Sequence, residues 1–456
     1  MNILLAVIGL GIFCLLLEIA NFRKGIIPLS IAGLLAVLAL VVQEFHKVES
    51  RYNDMVVQDP FSTGFSGLFV LLTILLIAMS GEFYKEKTSK ISDFISIKLF
   101  LLAGSIAMVM FGNLAMFFLG IEVLSIALYI LAASDRLSVK SNESGMKYFL
   151  MGSFASGILL FGICLIYGAT GTFNLQEIHE LSLSARIPDW FYIGLGMIAT
   201  GMLFKIAAAP FHFWAPDVYE GAPAITTATM STLSKVVAAA TFYKLTTSLT
   251  TDITATMSNI LVLAAGGSMI VGNFMALKQE NVKRMLAFSG ISHTGYMVMI
   301  LLATQPAAGL LLYYTAAYAL AGLGAFAVIL FVTQNQSDES ISHFNGLSKT
   351  NPLMAALLTC ALLSMAGIPV FAGFFAKLMV FNAAIENGYL ILVLIAVINS
   401  IVSMGYYFKI ILAMYTKQPD LLPSKVPFAY QAVAVITIVL NLLMGLFPSF
   451  ILDLLS

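Results

Sequence analysis

Trp190-Phe-Tyr-Ile-Gly-Leu-Gly-Met-Ile-Ala-Thr-Gly-Met-Leu-Phe-Lys205-Ile-Ala-Ala-Ala-Pro210-Phe-His212 carries a charge and a helix breaker in one apolar run. Residues 190–209 are apolar over a length that crosses a bilayer, for which about 20 residues suffice, yet a lysine stands inside the run and a proline ends it. Lys235 and Lys377 are embedded in two further runs of that length. A charge at mid-membrane costs between ~3 and ~15 kcal/mol, and residues that bear this cost normally face a bundle interior or a wet cavity. With one glutamate, Glu122, the lysines point to a proton or cation route through a membrane protein.

Composition supports that class. Sixty per cent of the 456 residues are hydrophobic and ten per cent charged, far from the balance of a soluble domain. Repeated apolar runs imply an all-α polytopic bundle rather than one globular core. Net charge is zero, so nothing points to nucleic acid, and the lipid bilayer is the expected surrounding. Cys14, Cys164 and Cys360 lie in apolar runs without metal-type spacing and read as core thiols. The first run, 3–20, has no basic region before it and is followed by Arg23 and Lys24, so it reads as a transmembrane helix rather than a signal peptide.

Fourteen spans follow from the Pro, Gly and charged punctuation. They cover 3–20, 26–42, 61–80, 95–111, 114–133, 148–169, 190–209, 224–245, 260–277, 285–302, 310–332, 352–381, 390–415 and 429–451. A short amphipathic piece near 175–183 reads as interfacial. One alternate set of loops carries fifteen Lys and Arg residues, Lys98 and Lys283 among them, and the other carries Lys47, Arg51 and Arg186. By the positive-inside rule both termini are expected outside, periplasmic in a bacterium. Lys244 and Lys409 stand near helix ends and are expected to snorkel.

Two spans are interrupted, at Pro210 and at Gly367-Ile-Pro369, five spans apart. A lysine precedes the first break and follows the second, as two inverted five-helix repeats would arrange it. Proline removes a backbone donor, and freed carbonyls survive at membrane depth only beside protein or a cavity. The expected organisation is helices 1–3 in 1–94, a first antiporter-like repeat in 95–250, a second, inverted one in 251–416, and the last helix in 417–456.

The stretch Lys205-Ile-Ala-Ala-Ala-Pro210-Phe-His212-Phe-Trp214-Ala-Pro216-Asp217-Val-Tyr219-Glu220-Gly221-Ala-Pro223 strongly resembles the subunit N family of the proton-pumping NADH-quinone oxidoreductase, respiratory complex I. Phe118-Leu-Gly-Ile-Glu122, Lys235, Lys283-Arg284-Met-Leu-Ala-Phe-Ser289-Gly-Ile-Ser292-His293 and Gly373-Phe-Phe-Ala-Lys377 add to it. The resemblance implies an antiporter-like subunit that couples electron transfer in partner subunits to proton transport in a bacterial inner membrane. Glu122 and Lys205 would form a charge pair in the first half-channel, and Lys235 would link the halves. His293 would carry protons along the axis, and Lys377 would be the terminal group towards the outer side. His212 and Lys409 are secondary candidates.

The chain shows no glycine-rich dinucleotide fingerprint, no cysteine cluster and no paired haem histidines. FMN, iron–sulfur clusters, NADH and quinone are therefore expected in partner subunits, both membrane and peripheral, with no cofactor or metal here. Enzymatic activity is expected only within the complex. Two other functions fit the same fold: a subunit of a multisubunit sodium/proton antiporter or hydrogenase, and a scaffold that translocates nothing. The Asp217-Val-Tyr-Glu-Gly-Ala-Pro223 segment speaks against the first, and the full polar chain against the second. For each lysine the bland alternative is a cap on carbonyls freed at a helix break. Asp217 and Glu220 read as loop-capping groups, and Lys283 and Arg284 as topology signals.

Overall fold

The computed structural model describes residues 1–85, 91–183, 187–249, 255–303, 307–334, 336, 338–419 and 424–455. Lys87, Lys90 and Arg186, and the repeat boundary at 250/251, lie outside them. The long helices are α1 (Asn2–Ile19), α2 (Ile26–Glu44), α3 (Pro60–Phe83), α4 (Ile91–Met110), α5 (Leu114–Ala132) and α6 (Val139–Thr170). The short α7 (Leu175–Ser182) is followed by α8 (Trp190–Lys205) and α9 (Trp214–Gly221). Next, α10 (Ala224–Thr229) continues through a π-turn at Met230–Ser234 into α11 (Lys235–Leu249). Then come α12 (Ala255–Leu277), α13 (Val282–Ile300), α14 (Ala308–Thr333) and a single turn, α15 (Leu347–Thr350). The chain closes with α16 (Pro352–Ala366), α17 (Ala372–Glu386), α18 (Leu390–Thr416), α19 (Phe428–Leu446) and the short α20 (Ser449–Leu452).

Among the described residues ten helices are long and apolar enough to cross a membrane. The other four expected spans fall short, each for a local reason. The helices α8 and α16, of 16 and 15 residues, reach only about 24 Å at 1.5 Å per residue, less than the ~30 Å hydrocarbon thickness. The eighth span is split by the π-turn. Six of the 19 residues of α13 are Lys283, Arg284, Ser289, Ser292, His293 and Thr294. These four spans are also the ones that carry Lys205, Lys235, His293 and Lys377.

Helix starts follow the side chains. Asp59 accepts from the Ser62 amide at 2.7 Å in a capping box, with Pro60 in the first turn. Asn113 and Asn281 cap α5 and α13, accepting from Met116 and Arg284 amides at 2.8 and 3.0 Å. Asn174 caps α7, which buries Leu175 and Ile178. Between α2 and α3 the chain makes an antiparallel hairpin, β1 (Glu49–Arg51) against β2 (Val56–Gln58), which hydrophobic patterning did not predict. Its turn holds Tyr52, Asn53 and Asp54 at positive φ.

The axis of the bundle is α14, buried along its whole spanning window, whereas α1 buries only 22 % of its own. Around it pack α3, α10, α11, α13, α16, α17 and α19. Of the cysteines only Cys14 is buried; Cys164 is exposed and Cys360 partly so. The outer face of an apolar helix meets lipid, where a thiol needs no protein cover.

Two lysine assignments change. Lys98 belongs to the interior of α4, which starts at Ile91 rather than 95, and so leaves the set of fifteen cations assigned to the basic end. Lys244 does not snorkel: it is buried and donates to the Val109 carbonyl at 2.6 Å, with Asp59 at 3.8 Å.

Candidate functional site

At the first break α8 ends at Lys205 and the chain returns through Ala207, which holds φ +57°. The freed backbone groups find partners on three sides. Trp214 Nε1 donates to the Phe204 carbonyl at 3.1 Å, Thr294 Oγ1 to the Ile206 carbonyl at 2.8 Å, and Ser268 Oγ accepts from the Ala209 amide at 2.8 Å. The Lys205 ammonium is therefore not needed as a cap. It donates to Ser125 Oγ on α5 at 2.6 Å and lies 5.8 Å from the centre of the Tyr129 ring.

The expected Glu122–Lys205 ion pair is not formed. Among the described residues no salt bridge joins the two side chains, and Glu122 Oε1 is buried without a protein hydrogen bond. The reason is the spacing on α5. Residues three apart share a helix face, so Ser125 offers a hydroxyl one turn beyond Glu122, and the ammonium takes it. The carboxylate remains within electrostatic reach.

Lys235 is the first residue after the π-turn, and its Nζ is buried without a protein hydrogen bond. Gly290 makes room for it: a Cβ there would stand 2.9 Å from Lys235 Nζ and 3.1 Å from the Tyr318 hydroxyl. The Tyr318 ring lies 4.8 Å from that of His293. His293 Nδ1 is 2.8 Å from the Tyr314 hydroxyl and Nε2 3.4 Å from that of Tyr407, which bonds to Ser289. Between His293 and Lys377 a cavity of about 10 Å³ is lined by Tyr314, Tyr318, Ser364 and Gly373, about the room one water needs.

Lys377 closes the row at the second break, where Gly367 (φ +89°) ends α16 and Val370 holds φ +85°. Positive φ at a β-branched residue is an outlier, and such strain costs on the order of 1–3 kcal/mol. Here the lysine does cap: Nζ donates to the Ala366 carbonyl at 2.9 Å and to Ser400 Oγ at 3.0 Å, and sits 5.3 Å from the Tyr296 ring centre. The capping alternative thus fits Lys377 and not Lys205 or Lys235.

The structure brings Lys235, His293 and Lys377 into one row and leaves Lys205 with Ser125 beside Glu122. No hydrogen bond links Lys205 to Lys235 among the described residues. His212 is buried in the first break, its ring 4.3 Å from that of Phe213 and its Nδ1 without a protein partner. Lys409 stands apart, exposed on α18 with its ammonium on the Gln279 carbonyl at 2.9 Å. Ser125, Tyr314, Tyr318 and Tyr407 complete the row and were not singled out from the sequence. The i, i+4 spacing of Tyr314 and Tyr318 on an otherwise apolar helix was the available signal.

At the end of the bundle that carries most of the basic residues, Asp217 and Glu220 lie on α9 rather than in a loop. Arg284 Nη1 reaches Asp217 at 2.7 Å and Glu220 at 2.8 Å, and Lys147 adds a 3.4 Å contact to Asp217. Burial raises the Asp217 carboxyl, but the Arg284 and Lys147 charges outweigh it and hold the group below its ordinary range. Lys283, buried, pairs with Glu339 at 2.7 Å and donates to the Ala222 carbonyl at 2.9 Å. A pocket of about 400 Å³ opens there, walled by Glu82, Asp135, Glu220, Lys283 and Glu339. No group of three or more His, Cys, Asp or Glu side chains among the described residues could hold a metal ion.

Residues 112–403 match the family described as NADH:quinone oxidoreductase/Mrp antiporter, TM. The chain belongs to this family. It is 64 % identical to the NADH-quinone oxidoreductase subunit N of Flavobacterium johnsoniae, over the full length of both chains. It is 38 % identical to that of Cytophaga hutchinsonii, with 99 % of each covered. Among solved structures it is similar to a chain of respiratory complex I from Thermus thermophilus, at TM-score 0.84 and 29 % identity over 99 % of this chain and 98 % of that one. A chain of the Mrp complex from Dietzia shares the fold, at TM-score 0.90 and 22 % identity over 99 % and 95 % of the two chains. The matched segment holds both breaks and every residue of the polar row except Tyr407, so the family's common core and the candidate site largely coincide.

Proposed function

We propose that this chain is the antiporter-like, proton-translocating membrane subunit N of an NADH-quinone oxidoreductase. It works within a complex whose other membrane and peripheral subunits carry the redox chemistry, with FMN, iron–sulfur clusters, NADH and quinone held there. The observation that carries the reading is a row of buried ionisable groups, two of them without a protein partner, in a chain that matches subunit N relatives from end to end. An unpaired amine in a bilayer is costly to retain, and a capping role accounts for neither Lys205 nor Lys235.

In this reading Glu122 and Lys205 form the switchable end of the row. Burial disfavours the charged amine, and a nearby carboxylate favours it. Rotation of the Lys205 side chain between Ser125 and Glu122 therefore changes how tightly its proton is held. Held on the hydroxyl, the amine releases its proton more readily towards Lys235. From Lys235 the Tyr318 hydroxyl, His293 and the small cavity lead to Lys377. His212, buried at the first break, is placed to take part, whereas Lys409 would serve only at the surface. The two broken spans would be equivalent elements of inverted repeats in 95–250 and 251–416. The skewed distribution of loop cations supports a bacterial inner membrane with both termini periplasmic.

The test is made on the assembled complex in closed vesicles carrying Lys205→Ala or Glu122→Ala, with assembly checked on a native gel. NADH-driven quinone reduction and proton uptake are recorded together. Loss of both with assembly intact supports the proton path. Wild-type values for both variants would make the pair structural and favour a scaffold.

A further inference from the structure

Three buried lysines take no part in the row; Lys244 faces Asp59 and Lys283 pairs with Glu339, whereas Lys98 has no such carboxylate among the described residues. Lys98, on the second turn of α4, is 2 % exposed. Its ammonium donates to the Ser80 hydroxyl on α3 and lies 5.6 Å from the centre of the Tyr84 ring. Among the described residues no carboxylate pairs with it, and no other hydrogen bond satisfies its remaining protons. An amine in that state bears the full cost of burial, and one hydroxyl does not offset it.

Its depth follows from the packing of α4. Glycines bring α4 and α5 into backbone contact: a Cβ on Gly104 would stand 2.8 Å from the Leu124 amide, and one on Gly120 3.0 Å from the Met108 amide. This antiparallel register sets Lys98 level with Tyr129 and Ile130, and the Tyr129 ring is the one facing the Lys205 ammonium. On the other side α11 runs parallel to α4, with Thr241 Oγ1 on the Met108 carbonyl at 2.9 Å and Lys244 on that of Val109. Lys98 therefore lies about one helical turn nearer the basic end than Lys235.

Tyr84, the ring beside the Lys98 ammonium, adjoins in the chain residues that wall the pocket at that end. Tyr84 stacks on Phe94 at 4.2 Å, and its buried hydroxyl stands close to Thr226, Ser134 and Asp135. Its neighbours Glu82 and Phe83, with Asp135, wall the 400 Å³ pocket, where Glu220 and Glu339 add further carboxylates. A pocket with several carboxylates, a tyrosine behind it and an unpaired amine behind the tyrosine form an ordered approach to the row.

We propose that Lys98 is a proton-loading residue, through which protons from the pocket at the basic end reach the Lys205–Lys235 half of the row. The step is a proton transfer only. The Lys98 ammonium gives up one proton inward, and the neutral amine regains one from the pocket side. The inference rests on the proton-path reading above.

The test uses Lys98→Met and Lys98→Arg in the assembled complex, with Lys205→Ala in parallel, reading proton uptake per NADH oxidised. Methionine keeps the length of the side chain without a proton, and arginine keeps a charge that is not given up in a protein. The expected result is loss of proton uptake in both Lys98 variants with assembly intact. Wild-type uptake in Lys98→Arg, whatever methionine does, makes the residue a structural cation and overturns the proposal. Failure of both variants to assemble assigns Lys98 to folding and overturns it too. If Lys205→Ala collapses while both Lys98 variants pump normally, only the loading role is lost. If Lys205→Ala also pumps normally, the proton path itself fails.

Discussion

At the scale of single residues, space is as telling as charge. Lys235 faces Gly290, and the contact distances leave no room for a methyl group between its Nζ and the Tyr318 hydroxyl. Gly290→Ala is expected to displace the far end of a flexible side chain, at a stability cost below about 1 kcal/mol. Assembly should then stay normal while proton uptake falls, and a variant that pumps at the wild-type rate would remove Lys235 and Tyr318 from the route. The costly residues themselves were legible from sequence, because a lysine in a bilayer-length apolar run is conspicuous. Their partners were not. Ser125, Tyr314 and Tyr407 look like ordinary helix residues until folding sets them against Lys205 and His293. The misassigned Lys98 shows the converse limit. It stands inside the expected span 95–111, but three residues from that start a cation reads as part of the flanking basic cluster, and the helix beginning at Ile91 sets it two turns deep.

At the scale of elements, the two breaks solve the same problem differently. The first satisfies its carbonyls with Trp214 and Thr294 and leaves its lysine to bond Ser125, whereas the second uses Lys377 itself on Ala366. A buried carbonyl that loses its donor costs about 1–3 kcal/mol. Lys377→Met is therefore expected to lower the stability of the complex by roughly that amount, with Ser400, at 3.4 Å from the same carbonyl, recovering part of it. Lys235→Met should cost nothing comparable, since its amine bonds to no protein atom. Thermal unfolding of the two purified variants compares them, and equal midpoints would contradict the capping assignment. Both interruptions were visible in the sequence as proline and glycine inside apolar runs. The side chain that would fill each break was not, because Thr294 and Ser400 come from helices remote in the chain.

At the scale of the whole molecule, the polar residues lie where the helices are least suited to lipid. Among the described residues ten helices meet the length and apolarity of a simple span. The short, π-turned or polar remainder packs against neighbours and holds Lys205, Lys235, Lys377 and His293. The tightly enclosed α14 supplies Tyr314 and Tyr318 to the row from its centre. The fold class followed from hydropathy, and ten of the fourteen expected spans are helices of spanning length and apolarity among the described residues. The continuity of the row did not, because it depends on three-dimensional neighbours such as Gly290 and the cavity beside Lys377. The central claim is that Lys235 passes protons between the two halves of this chain. The measurement that meets it most directly records proton uptake and NADH-driven quinone reduction, each as a rate, in the assembled complex in closed vesicles carrying Lys235→Met. The account predicts normal assembly with uptake and quinone reduction both lost or sharply lowered. Uptake and reduction at wild-type levels would contradict it.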